Sequence, residues 1–176
     1  FNQGRNAEGL EQLQRAEALN PADAGPVLHQ LYYRCVGGER DEALLAKAEQ
    51  LLRNFPLTVY ALNSLDSLQG SVVASRCTVV TLDEIAQLVV LAQELADNQR
   101  SDLVSGYLLR FQGIHAFNKG EYVAGVIALR QAHEKNGQIG ILGELFKYEL
   151  AYGQREDAAD TLMLVTELND ASLFHK

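Results

Sequence analysis

Residues 107–137, YLLRFQGIHAFNKGEYVAGVIALRQAHEKNG, carry the pattern that decides the fold. Apolar residues recur every three or four positions on either side of a turn segment, Asn118–Tyr122, which contains Gly120. This spacing predicts two amphipathic helices joined by a short turn. Leu109 precedes Gly113 by four positions in the first helix, and Gly125, Leu129 and Ala132 follow in the second. In general small residues let two helices approach closely, and large ones fill the space between them.

The same helical period continues through the rest of the 176 residues, where only 3 prolines interrupt it. A first helix is predicted between turns at Gly4 and Pro21, and eight more at about 24–36, 41–54, 58–68, 82–97, 102–118, 122–135, 140–152 and 155–168. Thr81 and Glu84 match a capping box, Ser101 is the predicted cap of the next helix, and Gly70 is the predicted end of the fourth. The longest β-like run, at 71–80, stands alone, so the predicted fold class is all-α.

Composition and charge exclude several kinds of partner. Hydrophobic residues make up 47% of the chain, which predicts a globular core, and the net charge is −8. The acidic balance argues against a nucleic-acid partner and against docking on anionic lipid, because both need clustered basic residues. No apolar run approaches the roughly 18 residues of a membrane-spanning helix, so direct membrane insertion by this chain is not expected.

The residue types that carry catalysis or bind metals show no productive spacing. The four histidines never occur as H-x-x-x-H, and there is no nucleophile elbow. The segment GGERDEA at 37–43 contains glycines but lacks the lysine of a phosphate loop. We therefore expect no enzyme activity, catalytic residues, metal or cofactor in this chain. Cys35 and Cys77 are either one disulfide in an oxidising compartment or two buried thiols.

Turn glycines recur between predicted helix pairs. Gly120 and Gly153 lie 33 residues apart, and Gly38 separates the second and third predicted helices. Helix pairs that repeat at about 34 residues are typical of solenoids. Together with the small and large positions of 107–137, this spacing resembles the tetratricopeptide-repeat family, which implies a right-handed α-solenoid of antiparallel helix pairs. The alternative is an ordinary helical bundle.

The resemblance assigns residues 1–176 to a single repeat domain. Its segments are a half repeat at 1–21, a repeat at 24–56, an irregular helix pair at 57–100, and repeats at 102–137 and 139–170. In the half repeat Gly4 would take the turn position, so the chain would start at the second helix of a pair whose first helix lies upstream. Four residues depart from the small, large or proline positions of the family pattern: Leu31, Lys47, Gly137 and Phe146.

Tetratricopeptide-like arrays bind peptides in a concave groove lined by the first helix of each pair. The resemblance therefore implies a non-catalytic protein-interaction domain with a protein or peptide partner. The groove positions carried onto this chain are Tyr32, Tyr107, Arg110, Phe117, Asn118 and Lys147, with Leu28, Cys35, Ile114 and Leu150 beside them. Arg110 and Lys147 would favour an acidic or carboxylate-bearing ligand. For Tyr32, Tyr107 and Phe117, packing between repeats is the alternative.

A second resemblance concerns the order of features along the chain. These are LNP at 19–21, LLRNFP at 51–56, LNSL at 62–65, Cys77 ahead of the capped helix, and GIHAFNKGEYVAGVIALRQAHE at 113–134. This order is similar to the soluble C-terminal region of bacterial O-antigen ligase/polymerase-type membrane glycosyltransferases, including protein O-oligosaccharyltransferases. It implies the accessory region of a membrane-embedded parent, on the periplasmic side of the inner membrane. The alternative is a soluble, cytoplasmic tetratricopeptide adaptor or assembly factor that binds a partner peptide.

Overall fold

Residues that favour helix dominate the chain, and the computed structural model describes residues 3–96 and 102–173, with the side chains of 7–93 and 102–169. Within these ranges nine α-helices follow one another and no strand occurs, which confirms the predicted all-α class. They are α1 (Gln3–Leu19), α2 (Ala24–Val36), α3 (Glu42–Asn54), α4 (Val59–Val73), α5 (Leu82–Ala96), α6 (Asp102–Asn118), α7 (Tyr122–Asn136), α8 (Ile139–Ala151) and α9 (Arg155–Leu173). None of the helices in the described ranges combines the length and the apolar character needed to cross a membrane.

Side-chain caps explain where several helices begin. Asp41 accepts a hydrogen bond from the Leu44 N–H at 3.0 Å, which satisfies one of the open donors at the start of α3. The predicted capping box before α5 is confirmed, since the Glu84 N–H donates to Thr81 Oγ1 at 3.2 Å and the Thr81 N–H donates to the Glu84 carboxylate at 2.8 Å. The predicted cap Ser101 lies outside the described residues.

Arg40 ties the capping box to the connection between α2 and α3. Its Nη2 donates to Glu84 Oε1 at 2.6 Å, and its Nη1 donates to the Val79 carbonyl at 2.6 Å. The hydrogen bond from Arg40 is the main reason why the pKa of Glu84 falls to about 2. Arg40 therefore holds the C-terminal end of the loop that precedes α5.

Four helices end in the same turn. In each, a residue in the left-handed conformation donates its N–H to the carbonyl three positions earlier, and the next residue donates to the carbonyl five positions before itself. This is the hydrogen-bond pattern of the Schellman motif. The left-handed residues are Gly38, Ser75, Gly120 and Gly153, with φ of 79°, 55°, 83° and 77°. They end α2, α4, α6 and α8, so alternate helices from α2 onward share one terminator.

Three predicted helix boundaries are wrong. α4 does not stop at Gly70 but continues to Val73, because a glycine inside a helix costs only about 1 kcal/mol and the terminating turn forms at Ser75. Gly4, the predicted turn residue, lies within α1, since no proline or second glycine interrupts the first turn of that helix. The other predicted starts agree with the structure to about one residue, whereas α9 runs beyond its predicted end to Leu173.

The contacts divide the chain into two compact units, Phe1–Val104 and Ser105–Lys176. In the first unit α2 contacts α1, α3 and α4, and α5 contacts α3 and α4. Thr58 Oγ1 donates to Asp23 Oδ1 at 2.8 Å, and further along the same helices Ser64 Oγ lies 3.3 Å from His29 Nδ1. α2 and α4 therefore run in the same direction, and each contact joins residues 35 positions apart. The core between the helices includes Leu28, Leu31, Leu52, Leu62, Leu65, Leu68, Ile85 and Leu88.

Cys35 and Cys77 form a disulfide, with their Cα atoms 5.0 Å apart. Both residues are almost fully buried. The bond joins the last turn of α2 to the loop between α4 and α5, in the same region as the contacts of Arg40. The sequence is compatible either with a disulfide or with two free thiols. The structure contains the disulfide.

In the second unit α6 and α7 pack where the sequence predicts small residues. A Cβ added at Gly113 would lie 2.8 Å from Leu129 Cδ2, and one added at Gly125 would lie 2.7 Å from Phe117 Cδ2. Gly106, near the start of α6, approaches Asn136 at the end of α7 in the same way, so the two helices are antiparallel. α8 contacts both α7 and α9. The core cluster of this unit consists of Phe117, Leu129, Ala132, Ile141 and Leu145.

Candidate functional site

The predicted groove residues of the second unit lie on α6 and α8. Three polar contacts connect these helices in ascending order, so the helices run in the same direction. The pairs are Tyr107 with Gln138, Arg110 with Glu144, and Asn118 with Tyr148. Lys147 lies one turn beyond Glu144 on α8 and therefore on the same side of that helix. We call Tyr107, Asn118, Lys147 and Tyr148 the α6–α8 face.

Arg110 is part of an ion pair. Its Nε and Nη2 donate to the two carboxylate oxygens of Glu144 at 2.7 and 2.5 Å, and its side chain is only 14% exposed. A bidentate pair of this kind compensates the guanidinium charge and fixes its orientation. The positive charge expected at Arg110 for an acidic ligand is thus taken up by Glu144, and of the two predicted cations Lys147 is the exposed one.

Phe117 belongs to the core of the second unit. It is 2% exposed and stacks on the Tyr148 ring, with the ring centres 4.3 Å apart and the planes 4° from parallel. The hydroxyl of Tyr152 donates to the Phe117 carbonyl at 2.5 Å. Ile114 is similarly buried. Phe117 thus holds α6 against α8, which is the packing role that the sequence left open for it.

The remaining predicted residues of this unit reach the surface. The Tyr107 hydroxyl accepts a hydrogen bond from Gln138 Nε2 at 3.2 Å, and the ring is half-buried. Asn118 is exposed, and its Nδ2 donates to the Ile114 carbonyl at 2.7 Å and to the Tyr148 hydroxyl at 3.2 Å. Burial raises the pKa of Tyr148, so this phenol stays neutral and polar at physiological pH. Lys147 and Leu150 are exposed on α8.

Tyr32 of the first unit lies in a cluster of rings around His29. The His29 ring centre is 5.5 Å from that of Tyr32, 5.2 Å from Tyr33 and 5.9 Å from Tyr60. Burial lowers the pKa of His29, which keeps the imidazole neutral and suited to ring packing. The two predicted neighbours of Tyr32 in the groove, Leu28 and Cys35, are buried. Tyr32 therefore contributes to an aromatic surface of α2 and α4.

Sequence reasoning missed the partners that decide these roles. Glu144, Tyr148 and Tyr60 lie on the neighbouring helix of their unit and were not singled out. A signal for Glu144 exists, because an acid 34 positions after Arg110 is one repeat period away. Residues at that separation come together whenever equivalent helices of successive repeats run side by side.

The described side chains offer little for metal chemistry. Within the described ranges no group of three or more His, Cys, Asp or Glu residues is placed to hold a metal ion. The geometry of the α6–α8 face instead combines two phenols, an amide and an ammonium group along two parallel helices. Comparison with family models, with curated proteins and with solved structures finds no match for this chain.

Proposed function

We propose that this chain is a non-catalytic protein-interaction domain and that its α6–α8 face binds an extended peptide. In this proposal each compact unit is a short tetratricopeptide-like solenoid, a right-handed array of antiparallel helix pairs. The repeated terminator is the main support. The same left-handed turn ends α2, α4, α6 and α8, as expected if these helices are the first members of successive pairs.

The spacing of contacts also supports a repeat. Arg110 and Glu144 are 34 positions apart, and the hydrogen bond from the Tyr122 hydroxyl to Asp157 Oδ2 joins residues 35 apart. Two further contacts at a separation of 35 occur between α2 and α4 of the first unit. A period of about 34 residues is that of the tetratricopeptide unit.

The dimensions of the face favour a short extended ligand. Tyr107 and Asn118 are eleven positions apart on α6, about 16 Å along the helix axis. An extended peptide of about five residues spans that length. Lys147 favours a carboxylate in the peptide, whereas Arg110 contributes orientation more than net charge because Glu144 already neutralises it.

A peptide selected from a displayed random library against the whole chain provides the test. Lys147→Glu should weaken its binding about tenfold, since it replaces an attraction by a repulsion. Arg53→Glu, a charge reversal on α3, is the matched control and should leave the affinity unchanged. The exchange Arg110→Glu with Glu144→Arg retains the ion pair and should have little effect. Unchanged affinity in a Lys147→Glu, Asn118→Ala double variant with intact helical content would remove the proposal.

For the parent protein we propose a bacterial O-antigen ligase/polymerase-type membrane glycosyltransferase, with this chain as its accessory region on the periplasmic side. The Cys35–Cys77 disulfide supports an oxidising compartment such as the periplasm, because cytosolic thiols are usually kept reduced. In such a parent the catalytic residues would lie outside this chain, and the α6–α8 face would orient an acceptor protein or another part of the enzyme.

Fractionation of the native full-length protein tests this assignment. If the protein leaves the membrane only with detergent and its two cysteines resist thiol labelling in intact cells, the membrane glycosyltransferase gains support. Extraction in the soluble fraction with labelled thiols would instead favour a cytoplasmic adaptor or assembly factor. The peptide-binding test above is independent of this result.

A further inference from the structure

A groove of about 400 Å³ lies between α7 and α9, with α8 beneath it. Its floor is apolar and consists of Leu142 and Leu145, which are 2% and 0% exposed. Its walls are polar apart from Leu164. The wall residues are Arg130, His133 and Glu134 on α7 and Asp160, Thr161 and Leu164 on α9. The groove shares no residue with the α6–α8 face.

Glu149 lies on α8 beyond the two floor residues, next to the wall residues Arg130 and Thr161. It follows Leu145 by four residues and Leu142 by seven, which places all three on one side of the helix. Its side chain is 0% exposed, and no well-aligned hydrogen bond from the described residues reaches either carboxylate oxygen, although Thr161 interacts with the carboxylate. Burial raises the pKa of this carboxyl, with Thr161 and Arg130 acting against the shift. Two groove-lining residues are thus the neighbours of the buried carboxylate.

Arg130 is a weak partner for Glu149. Its Nη2 is 3.9 Å from Glu149 Oε1, too far for a hydrogen bond, and its side chain is 55% exposed. A buried carboxylate without hydrogen bonds is costly, and a cation that donates directly to it recovers part of that cost. Arg130 can move into solvent when such a cation arrives, because most of its side chain is already there.

The charges in and beside the groove favour a positively charged ligand. Among the lining residues Glu134 and Asp160 are acids and Arg130 is the permanent cation, and the buried Glu149 carboxyl adds a third acid next to Arg130. The apolar floor adds a preference for a hydrocarbon chain. Leu145 and Glu149 are about 6 Å apart along the helix axis, a length that suits the four-carbon stem of an ammonium-bearing side chain.

We propose that this groove binds a primary alkylammonium group, with the alkyl chain on Leu142 and Leu145 and the ammonium group at Glu149 in place of Arg130. The ligand is either a lysine side chain of a protein partner or a free alkylamine, since both carry the same chemistry. A guanidinium group is a poorer ligand because its planar fork is wider than the compact ammonium group. The site goes beyond the peptide-binding function proposed above and does not depend on it.

Calorimetric titration of the 176-residue chain at pH 7 with n-hexylammonium chloride is the test, with 1-hexanol as the matched neutral probe. The ammonium should bind and the alcohol should bind more weakly. Glu149→Gln, which keeps the shape of the side chain, should weaken ammonium binding by about tenfold or more. Equal binding of the two probes, or undiminished ammonium binding by a folded Glu149→Gln variant, would overturn the proposal.

A second variant keeps the test decisive if Glu149→Gln does not fold. Arg130→Ala removes the competing cation from an exposed position and should tighten ammonium binding, whereas weaker binding would contradict the proposed displacement of Arg130. The two sources of the ligand are separated by comparing N-acetyl-lysine methylamide with n-butylammonium chloride. Tighter binding of the lysine derivative identifies a protein side chain, and tighter binding of butylammonium identifies a free amine.

Discussion

Gly113 lies where α6 crosses Leu129 of α7, and the site has no room for a side chain. A Cβ at this position would meet Leu129 Cγ and Cδ2 at 2.8 Å and the Gly125 carbonyl at 3.2 Å. Leu129 is 0% exposed and is held by the core cluster of the second unit, so it cannot move aside. The close approach of α6 and α7 therefore depends on the absence of a side chain at Gly113.

Replacing Gly113 by leucine should lower the free energy of unfolding by about 1–3 kcal/mol through overpacking. Gly143→Leu on α8 is the matched control, because nothing lies within 4 Å of a Cβ added there. It should be neutral or stabilising by up to about 1 kcal/mol, since leucine favours helix more than glycine does. Denaturant unfolding followed by circular dichroism measures both variants. A Gly113→Leu variant as stable as the parent would contradict the close packing of α6 on α7.

The sequence pattern predicts which residues pack together better than it predicts which charged residues form ion pairs. Gly113, Gly125 and Leu129 match the small and large positions of the tetratricopeptide pattern, and these positions of one helix pair are close in sequence. The role of Arg110 depends on Glu144, which becomes its neighbour only when α6 and α8 run side by side. Glu149 was overlooked for a related reason. It is an acid at the position that Ala116 occupies 33 residues earlier, where both side chains are buried.

The turn that ends a helix can form even where its usual sequence signal, a glycine, is absent. The turns after α2, α6 and α8 have glycine in the left-handed position, whereas the turn after α4 has Ser75 with φ of 55°. Its two hydrogen bonds are nevertheless formed, from the Ser75 N–H to the Val72 carbonyl at 2.9 Å and from the Arg76 N–H to the Ser71 carbonyl at 2.8 Å. Tertiary contacts, including the nearby disulfide at Cys77, hold a conformation that serine itself disfavours.

Ser75→Gly should raise the free energy of unfolding of the first unit by about 0.5–1 kcal/mol, because glycine adopts the left-handed conformation without a Cβ clash. The converse change, Gly120→Ser in the second unit, should destabilise by a similar amount. Chemical unfolding monitored by tyrosine fluorescence and circular dichroism measures the pair. If both substitutions shift stability in the same direction, the shared turn does not account for these helix ends.

The element boundaries follow the same logic. Starts were predicted closely because Asp41, Thr81 and their neighbours cap helices through side chains that the sequence displays. The predicted end of α4 at Gly70 is wrong because glycine permits a turn without requiring one. The true stop at Ser75 has no local signature. The segment 57–100 is predicted to be an irregular helix pair because it keeps the helical period but not the repeat spacing, and α4 nevertheless carries the same terminator as α2, α6 and α8.

Across the whole molecule, each compact unit contains one pair of parallel helices joined by contacts about one repeat period apart. The units differ in how they are reinforced. The first has the Cys35–Cys77 disulfide and the Arg40 contacts around the loop before α5. The second relies on the core around Phe117 and Leu129, and its buried Glu149 has no well-aligned hydrogen bond from the described residues. With 2 cysteines in the chain, a reducing agent can act on the disulfide of the first unit alone.

Removing the disulfide should therefore destabilise the two units unequally. Cys35 and Cys77 are 42 positions apart, and closing a loop of that length contributes about 4 kcal/mol in the chain-entropy model. In a Cys35→Ala, Cys77→Ala variant, amide hydrogen exchange measured by mass spectrometry should accelerate in peptides from α2 to α5. Peptides from α7 to α9 should be protected as in the parent, unless unfolding of the first unit also unfolds the second. Equal acceleration in the two sets of peptides would mean that the two units unfold as one. Unchanged protection in peptides from α2 to α5 would mean that the disulfide contributes little to the stability of its own unit.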